Sequence, residues 1–505
     1  MSAGIAFRVD ASSQIGTGHF MRCLTLAGAL QLQGARVRFV SRGLPDHLRD
    51  MLAAKGMGFS CLNDAVTPEA PGDLAHSNWL AASQAKDAKD STEALADLKW
   101  DWLVVDHYAL DARWESAMRN AAGRIMVIDD LADRKHDCDV LLDQNYYRDM
   151  QTRYDGKVPE QCRLLLGPRY ALLREEFREL REQVKPRTGE VRRILLFFGG
   201  VDADNYTGLA IQALAGLDIK GIAVDAVIGA QHPYREQIQQ ACVEQGYVCH
   251  VQTTRMAELM AEADLAIGAG GSATWERCCL GLPALGICTA ANQRGQIAEA
   301  AEAGLLYAPS GEGDLVGMLG RHAKCLMENS FLLRLISKIS MEWVDGKGAM
   351  RVSGLIGMDN IEIRRATEND SGKLFEWRNH PSIRAASRNS GSIDWDSHCS
   401  WLSAVLADKD RELLVGYIGD EPIGVVRFDK AEDAAEISIY LVPEAGFTGQ
   451  GRSLLLSAER WLKDHRPDIQ KILAEVLGSN PASQKLFIGA DYRIEKIQYL
   501  KELKG

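Results

Sequence analysis

Short apolar runs that each break off into polar or glycine residues recur along most of this chain, and they restrict its fold more than any other feature. "IAFRV" (5–9), "ARVRFV" (35–40), "WLVVDHY" (102–108), "RIMVIDD" (124–130) and "DVLLDQN" (139–145) are nearly continuous in apolar residues where a half-solvated strand would alternate. Strands of that kind are buried on both faces, as in a parallel sheet covered by helices. Between them lie helical patterns such as "FMRCLTLAGALQLQG" (20–34), amphipathic and stopped at Gly34. "VKPRTGEVRR" (184–193) is polar, carries Pro and Gly, and reads as a linker. The pattern then restarts with "ILLFFGG" (194–200), "IAVDAVIGA" (222–230), "ADLAIGAGG" (263–271) and "LPALGIC" (282–288). The expectation is two doubly wound α/β domains, 1–183 and 190–345, facing each other across a cleft.

A second seam falls at "DGKGAMRVSGLIGMDN" (345–360), rich in glycine and small residues. Beyond it come a strand at "IEIRRAT", helices at "ENDSGKLFEWRNH" and "WDSHCSWLSAVL", and strand-like runs "ELLVGYIGD", "EPIGVVRFDK" and "AEISIYLVP". The "GDEP" junction suggests a hairpin, and antiparallel strands mixed with helices make 359–505 a separate α+β domain. A length of 505 residues accommodates three such units.

Composition narrows the function. No apolar run approaches the ~20 residues of a membrane span, and the chain enters a strand almost at once, so neither a membrane segment nor a leader is expected. Eleven cysteines, an odd number without paired spacing, fit reduced thiols in a cytoplasmic protein. With no CxxC or HExxH pattern, no metal is expected. A formal net charge of −11 argues against nucleic acid, and leaves room for a local positive site that takes a phosphorylated ligand.

The chemistry concentrates where strands end. "QIGTGHFMRCL" (14–24) places Gly16 and Gly18 before a helix. Glycines there allow positive φ and close approach, and the helix start is a natural seat for phosphate. His19 on that loop suits a general base; capping the helix is the plain alternative. The polar set of Arg8, Asp10, Ser12, Gln14 and Arg22 favours the chemical role, with Asp10 the preferred partner of His19. Asp106, His107 and Tyr108, then Asp129 and Asp130, then Asn145 stand at further strand ends, where open α/β sheets bind ligands; helix capping is again the alternative. In "AIGAGGSATWERCCLGLPAL" (266–285) a strand ends in Gly268, Gly270 and Gly271 before Ser272 and Thr274 open a helix carrying Glu276. That run suits a diphosphate, with Glu276 placed to accept from ribose hydroxyls.

"FRVDASSQIGTGHFMRCL", "VVDHY", "IDDLADRKHDCDVLLDQN", "GPRYALLREEF" and "FFGGVDADN" resemble the pseudaminic-acid-pathway hydrolases that remove UDP from UDP-2,4-diacetamido-2,4,6-trideoxy-β-L-altropyranose. "GGSATWERCCLGLP" is similar to the UDP-binding segment of MurG-type glycosyltransferases. The resemblance implies a GT-B fold of two Rossmann-like domains and metal-independent hydrolysis, with His19 as base and water as acceptor. It places the UDP-linked amino sugar among Arg8, Gln14, Gly16, Gly18, Arg22, Asp106, His107, Tyr108, Asn145, Gly199, Gly200, Gly271, Ser272, Thr274, Glu276, Asn292 and Gln293.

"EISIYLVPEAGFTGQGRSLLLSAERWL" resembles the acetyl-CoA pyrophosphate loop of GNAT acetyltransferases, in the form [Q/R]-x-x-G-x-[G/A] with Gly446 in first place. This assigns Phe447, Thr448, Gly449, Gly451 and Arg452 to acetyl-CoA, and Asn480 and Ser483 match the family's downstream Asn-x-x-Ser. Phe487 stands where a tyrosine acid is usual, with Tyr492 nearby. "WRNHPSIRAAS" and "WDSHCSWL" are similar to acceptor-side segments of the subgroup that acetylates an amino-sugar nucleotide; Glu436, His398 and His380 are candidate bases. The combined expectation is two consecutive enzymes on one chain. The rivals are a glycosyltransferase with a carbohydrate acceptor and a hydrolase carrying a degenerate CoA-binding module.

Overall fold

Burial of a run on both faces leaves its backbone groups only neighbouring strands to bond, and every long apolar run of the first 290 residues does pair with parallel neighbours. The computed structural model describes residues 3–12, 14–62, 73–217, 219–289, 294–309, 313–356, 361–387, 391–418, 421–443, 450–476, 480–490 and 492–495. The chain divides into two compact units, Met1–Ser353 and Gly354–Gly505.

The first unit holds two sheets. Strands β1 (Gly4–Val9), β2 (Arg36–Ser41), β3 (Gly58–Cys61), β4 (Trp100–Asp106), β5 (Ala122–Ile128), β6 (Val140–Asp143) and β7 (Arg163–Leu166) form a seven-stranded sheet in the order 3-2-1-4-5-6-7. Strands β8 (Arg193–Phe197), β9 (Ala223–Ile228), β10 (Val248–Val251), β11 (Leu265–Ala269) and β12 (Ala284–Ile287) form the other, in the order 10-9-8-11-12. Both sheets are parallel throughout. In each, the chain winds outward in one direction and then returns to wind in the other, so β1/β4 and β8/β11 flank the switch points. Strands β3, β7 and β10 had no signature in the sequence reading. They are four-residue edge strands, mostly part-exposed; β3 and β10 hold no apolar run, and β7 only the three leucines 164–166.

The core of the first sheet includes fully buried Trp100 and Trp114, with Phe7 stacked on Phe39 at 4.9 Å. The helix after β1 begins at Gly18 rather than Phe20, because its first turn faces the loop and carries no apolar signal. After β12 the helix Ser330–Trp343 leads the chain back to the first half. There Arg181 Nη2 donates to Met341 O (2.9 Å), Trp343 meets Tyr146 edge-on, and Arg351 Nη1 donates to Arg169 O (2.8 Å).

In the second unit β13 (Glu362–Arg365), β14 (Arg411–Ile418), β15 (Glu421–Ala431), β16 (Ala434–Leu441) and β17 (Lys471–Ala474) form a sheet in chain order. All its pairings are antiparallel except β16/β17. The expected hairpin corresponds to the antiparallel β14/β15 pair; residues 419 and 420 between the strands lie outside the described ones. The helix Gly451–His465 buries Leu454 against the sheet, and Gly416 and Gly424 make the room: a Cβ on either would stand 2.4 Å from Leu454. Gly424→Ala should therefore lower the stability of this unit by about 1–3 kcal/mol, the usual cost of overpacking. A shift of the urea midpoint reads this, and an unchanged midpoint refutes it.

Candidate active site

The crevice between the carboxyl ends of β1 and β4 is where an open parallel sheet receives ligands. Val9 of β1 pairs in register with Asp106, the last residue of β4. The loop after β1 turns at Gly16, in the left-handed region at φ 78°, and feeds the helix Gly18–Leu32; Gly18 is itself helical and not left-handed. One helical turn separates His19 from Arg22, so both side chains leave the same face, and both meet Asp106. His19 Nδ1 lies 2.6 Å from Asp106 Oδ1, while Arg22 Nε and Nη2 donate to Oδ2 and Oδ1 at 2.6 and 2.7 Å. Burial by itself would raise the Asp106 carboxyl; the Arg22 guanidinium and His19 outweigh it and hold the group below the ordinary carboxylate range.

This contact decides the imidazole's tautomer. Arg22 Nη2 also lies 3.2 Å from Nδ1, but a 2.6 Å approach to a carboxylate requires a proton on the nitrogen. Nε2 is then the basic atom, and no described residue bonds it. The side chain is 11% exposed.

Asp10 is not the partner of His19. Its carboxylate accepts from Arg8 Nη1 and Nη2 (2.7 and 2.9 Å), from Ser41 Oγ (2.8 Å) and from the Arg42 amide (2.8 Å). Residues 8 and 10 leave the chain on one side, so Arg8 reaches its near neighbour and then Asp87, which Arg42 and Trp114 Nε1 also contact. Arg8, expected on the substrate, is fully buried in this network. His107 is buried too: Nδ1 accepts from the Ala109 amide, which leaves the proton on Nε2, 3.2 Å from Asp10 Oδ2 and off a good hydrogen-bond line.

The next strand ends complete the wall. Asp130 accepts from Arg22 Nη1 (3.1 Å), Asn145 Nδ2 (3.2 Å) and the Tyr108 hydroxyl. Burial, then Asp130, pushes the Tyr108 phenol above its ordinary range. The Tyr108 ring stands edge-on to His19 at 4.6 Å and stacks on Trp79 at 5.5 Å, and His76 packs on Trp79 at 4.7 Å. Sequence reasoning missed Trp79, in a three-residue 3-10 segment, and His76 just before it, a stretch without any periodic signal. Asp129 lies deeper, with Arg134 Nη1 at 2.9 Å and the Tyr154 hydroxyl at 3.1 Å. Gln14 is exposed; its amide donates to Ser12 Oγ at 3.2 Å.

At the second sheet's switch point Gly199 is left-handed (φ 104°) and Gly200 packs its carbonyl where a Cβ of Gly229 would be. Gly268 and Gly270 have packing reasons as well: their missing side chains admit the Phe197 carbonyl and Ile297. Gly271 is half-buried, and Ser272 is exposed at the start of the helix Ala273–Cys279. Thr274 is buried and accepts from Arg277 Nη2 (3.1 Å), so it faces protein. Glu276 is partly buried, which raises its carboxyl, with Arg174 Nη2 at 3.5 Å. Asn145 reaches this half, its Oδ1 accepting from Trp275 Nε1 (2.9 Å) and Gln296 Nε2 (3.0 Å). Asn292 and Gln293 lie outside the described residues.

In the second unit β17 pairs with β16 only as far as Ile437–Ala474, while β16 runs on to Leu441. The helix Gly451–His465 follows β16 in the chain. Arg452 Nε donates to Gly489 O (2.8 Å), and Asn480 Oδ1 caps the helix Pro481–Gly489 by accepting from the Ser483 amide (3.1 Å). Phe447, Thr448 and Gly449, with Gly446, lie outside the described residues. Phe487 is buried against Tyr492, whose hydroxyl donates to Glu459 (2.7 Å); burial and that carboxylate push the phenol up. His398 is buried with Nε2 donating to Ser371 O (3.0 Å), His380 caps a short helix, and Glu436 is exposed on β16.

The first unit is thus built on two doubly wound parallel sheets and the second on a mixed, mostly antiparallel one. Residues 373–489 match the acetyltransferase (GNAT) family. The N-terminal part is homologous to the UDP-2,4-diacetamido-2,4,6-trideoxy-beta-L-altropyranose hydrolase of Campylobacter jejuni, at 26% identity over 57% of this chain and 93% of that protein. An uncharacterized protein of Methanocaldococcus jannaschii is 22% identical over 99% of this chain and 97% of its own length. Among solved structures, Acinetobacter baumannii MurG superposes with TM-score 0.49 and 15% identity, covering 70% of this chain and 99% of that one. Among the described residues no group of three His, Cys, Asp or Glu could hold a metal, and no helix is long and apolar enough to cross a membrane.

The loop that carries Asp129 and Asp130 is anchored by His136. Its Nδ1 lies 2.7 Å from Glu115 Oε1, and although burial opposes the charge, Asp129 and Glu115 raise the imidazole from 6.5 to about 9. Because the folded value is the higher one, the stabilisation is complete below about pH 6.5 and is lost as pH rises through about 9. It amounts to about 3 kcal/mol. Thermal melts of the wild type from pH 6 to 10 should fall more steeply than those of His136→Gln; parallel curves would refute this.

Proposed function

We propose that the chain carries out two consecutive steps on an amino-sugar nucleotide. The first unit hydrolyses UDP-2,4-diacetamido-2,4,6-trideoxy-β-L-altropyranose to the free sugar and UDP, without a metal ion. The second N-acetylates the UDP-linked 4-amino sugar that precedes it, with acetyl-CoA. The observation that carries the hydrolase reading is His19, with Nδ1 on a buried carboxylate and Nε2 bonded by no described residue.

In this reading water gives its proton to Nε2 as its oxygen bonds the anomeric carbon. The bond from that carbon to the diphosphate breaks, and its electron pair leaves with UDP. Asp106 steadies the imidazolium that forms, as a fixed carboxylate does for any general-base histidine. Charge gathering on the diphosphate is met by amides at the start of the helix Gly18–Leu32 and of the loop at Gly271–Ser272. The homologous hydrolase of Campylobacter jejuni supports this substrate class.

For the second step, acetyl-CoA when bound supplies the thioester acetyl group. The open edge of β16 beyond Ile437 offers backbone amides to it. Of the candidate bases, Glu436 is exposed on that same strand, whereas the Nε2 of His398 is spent on Ser371 O and His380 caps a helix.

His19→Gln should slow UDP release by about 10²–10⁴-fold, the usual worth of a general base, while UDP binding persists. A coupled UDP assay with calorimetry reads both, and an undiminished rate removes His19 from the chemistry. A mass-resolved assay of the full chain with the UDP-4-amino sugar should yield free diacetamido sugar and UDP only when acetyl-CoA is present. Release of UDP from the pre-acetylated sugar without acetylation of the precursor would leave the hydrolase alone standing. Survival of the pre-acetylated sugar until a carbohydrate acceptor is added would make the first unit a glycosyltransferase.

A further inference from the structure

Asn145 stands at the end of β6, 6% exposed, and its amide is committed at both ends. Nδ2 donates to Asp130 Oδ2 at 3.2 Å, while Oδ1 accepts from Trp275 Nε1 at 2.9 Å and from Gln296 Nε2 at 3.0 Å. An indole nitrogen only donates and a carboxylate only accepts, so one orientation of the amide satisfies all three partners. The first partner belongs to the first sheet's half of the unit and the other two to the second half.

Both donors are fastened to the second half's glycine loop. Trp275, 0% exposed, lies in the helix Ala273–Cys279 that the loop feeds. Gln296 lies in the helix Arg294–Glu302, whose Ile297 occupies the space where a Gly270 side chain would be. On the other side the bonds continue without a gap. Asp130 Oδ2 also accepts from Arg22 Nη1 (3.1 Å), Arg22 grips Asp106 through Nε and Nη2, and Asp106 holds His19 Nδ1. A continuous chain of buried or part-buried hydrogen bonds therefore joins the second half's loop to the imidazole.

We propose that Asn145 is a positioning residue that ties the orientation of His19 to the seating of a nucleoside diphosphate on the second half. The inference rests on the reading of that half as the UDP site. Its physical basis is the cost of a stranded polar group: a buried amide that loses a partner has no water to replace it. If the loop shifts when ligand seats, Trp275 and Gln296 move with it, and the Asn145 amide has to follow. Its other end then carries the change to Asp130 and Arg22. An aspartate in its place could accept from both donors but could not donate to Asp130.

The test uses the full chain, UDP as probe, and His19 imidazole resonances assigned with His19→Gln in ¹⁵N-histidine-labelled protein. Charged and titratable groups facing His19 are Asp106, Arg22 and Tyr108, with His76 behind Trp79. In the wild type UDP should shift the His19 resonances and their titration midpoint. In Asn145→Ala, and in the volume-matched Gln296→Met, UDP should still bind within roughly 3-fold, its effect on His19 should vanish, and kcat should fall roughly 10-fold with little change in KM, the scale of a single coupling. Loss of kcat in a variant whose His19 still answers UDP would mean plain structural damage and overturn the proposal, as would unaltered kcat and shift in both variants. A wild type that binds UDP with no response at His19 would overturn it while leaving the UDP reading intact. A wild type that binds no UDP would take the reading down and the inference with it.

Discussion

The carboxylate of Asp106 is the interaction on which the candidate site depends. It stands at the end of a central strand, buried, and is shared between a guanidinium and an imidazole from one helix turn. A charge so placed is tolerable only when opposite charge and hydrogen bonds replace the water it has lost. Arg22 provides the larger part of that compensation, and His19 adds to it. The same arginine reaches Asp130, so two strand ends and one helix are fixed by a single side chain.

Beneath the crevice the pattern repeats. Arg8 is gripped by Asp10 and Asp87, Arg42 by Asp87 and Asp90, and His136 by Glu115 with Asp129 beyond. Replacement of such pairs by apolar groups is often neutral or stabilising, so stability alone is a poor reason for them. Their geometry offers a better one. Polar partners have directions, and a network in which Asp10, Asp87 and Glu115 each accept from buried donors holds the strand ends in one arrangement under the crevice. Apolar packing would fill the same space without setting the angle of a carboxylate.

The second unit achieves its opening by other means. Three of its four strand pairings are antiparallel, and the parallel pair at β16/β17 is short, so from Ser438 to Leu441 β16 is paired with β15 on one side and, among the described residues, not with β17 on the other. Backbone amides left at such an edge are ready to bond an extended ligand. The helix starting at Gly451 packs on this sheet through Leu454, accommodated by glycines on two strands. That packing gives the helix a rigid support.

What the sequence by itself determined was the sheet order's raw material and the location of the chemistry. Continuous apolar runs such as Leu103–Val105 can only be buried strands, and polar residues at their carboxyl ends can only gather at one edge. His19, Asp106, Asp130 and Asn145 were all legible in that way. The short part-exposed edge strands were not, because four residues with one solvated side carry no periodic signal. Nor were Trp79 and His76, which a loop brings to the site. Only the tertiary structure decided which acid holds His19. Asp10 is nearer in sequence, but it shares a side of β1 with Arg8 and is consumed there, while Asp106, 87 residues away from His19, ends the neighbouring strand directly under the helix. Likewise only the fold turned Asn145 from a strand-end polar residue into a bridge, since its two donors come from helices more than 100 residues later in the chain. Local pattern sets which residues sit at an edge; the packing of one edge against another sets what each of them touches.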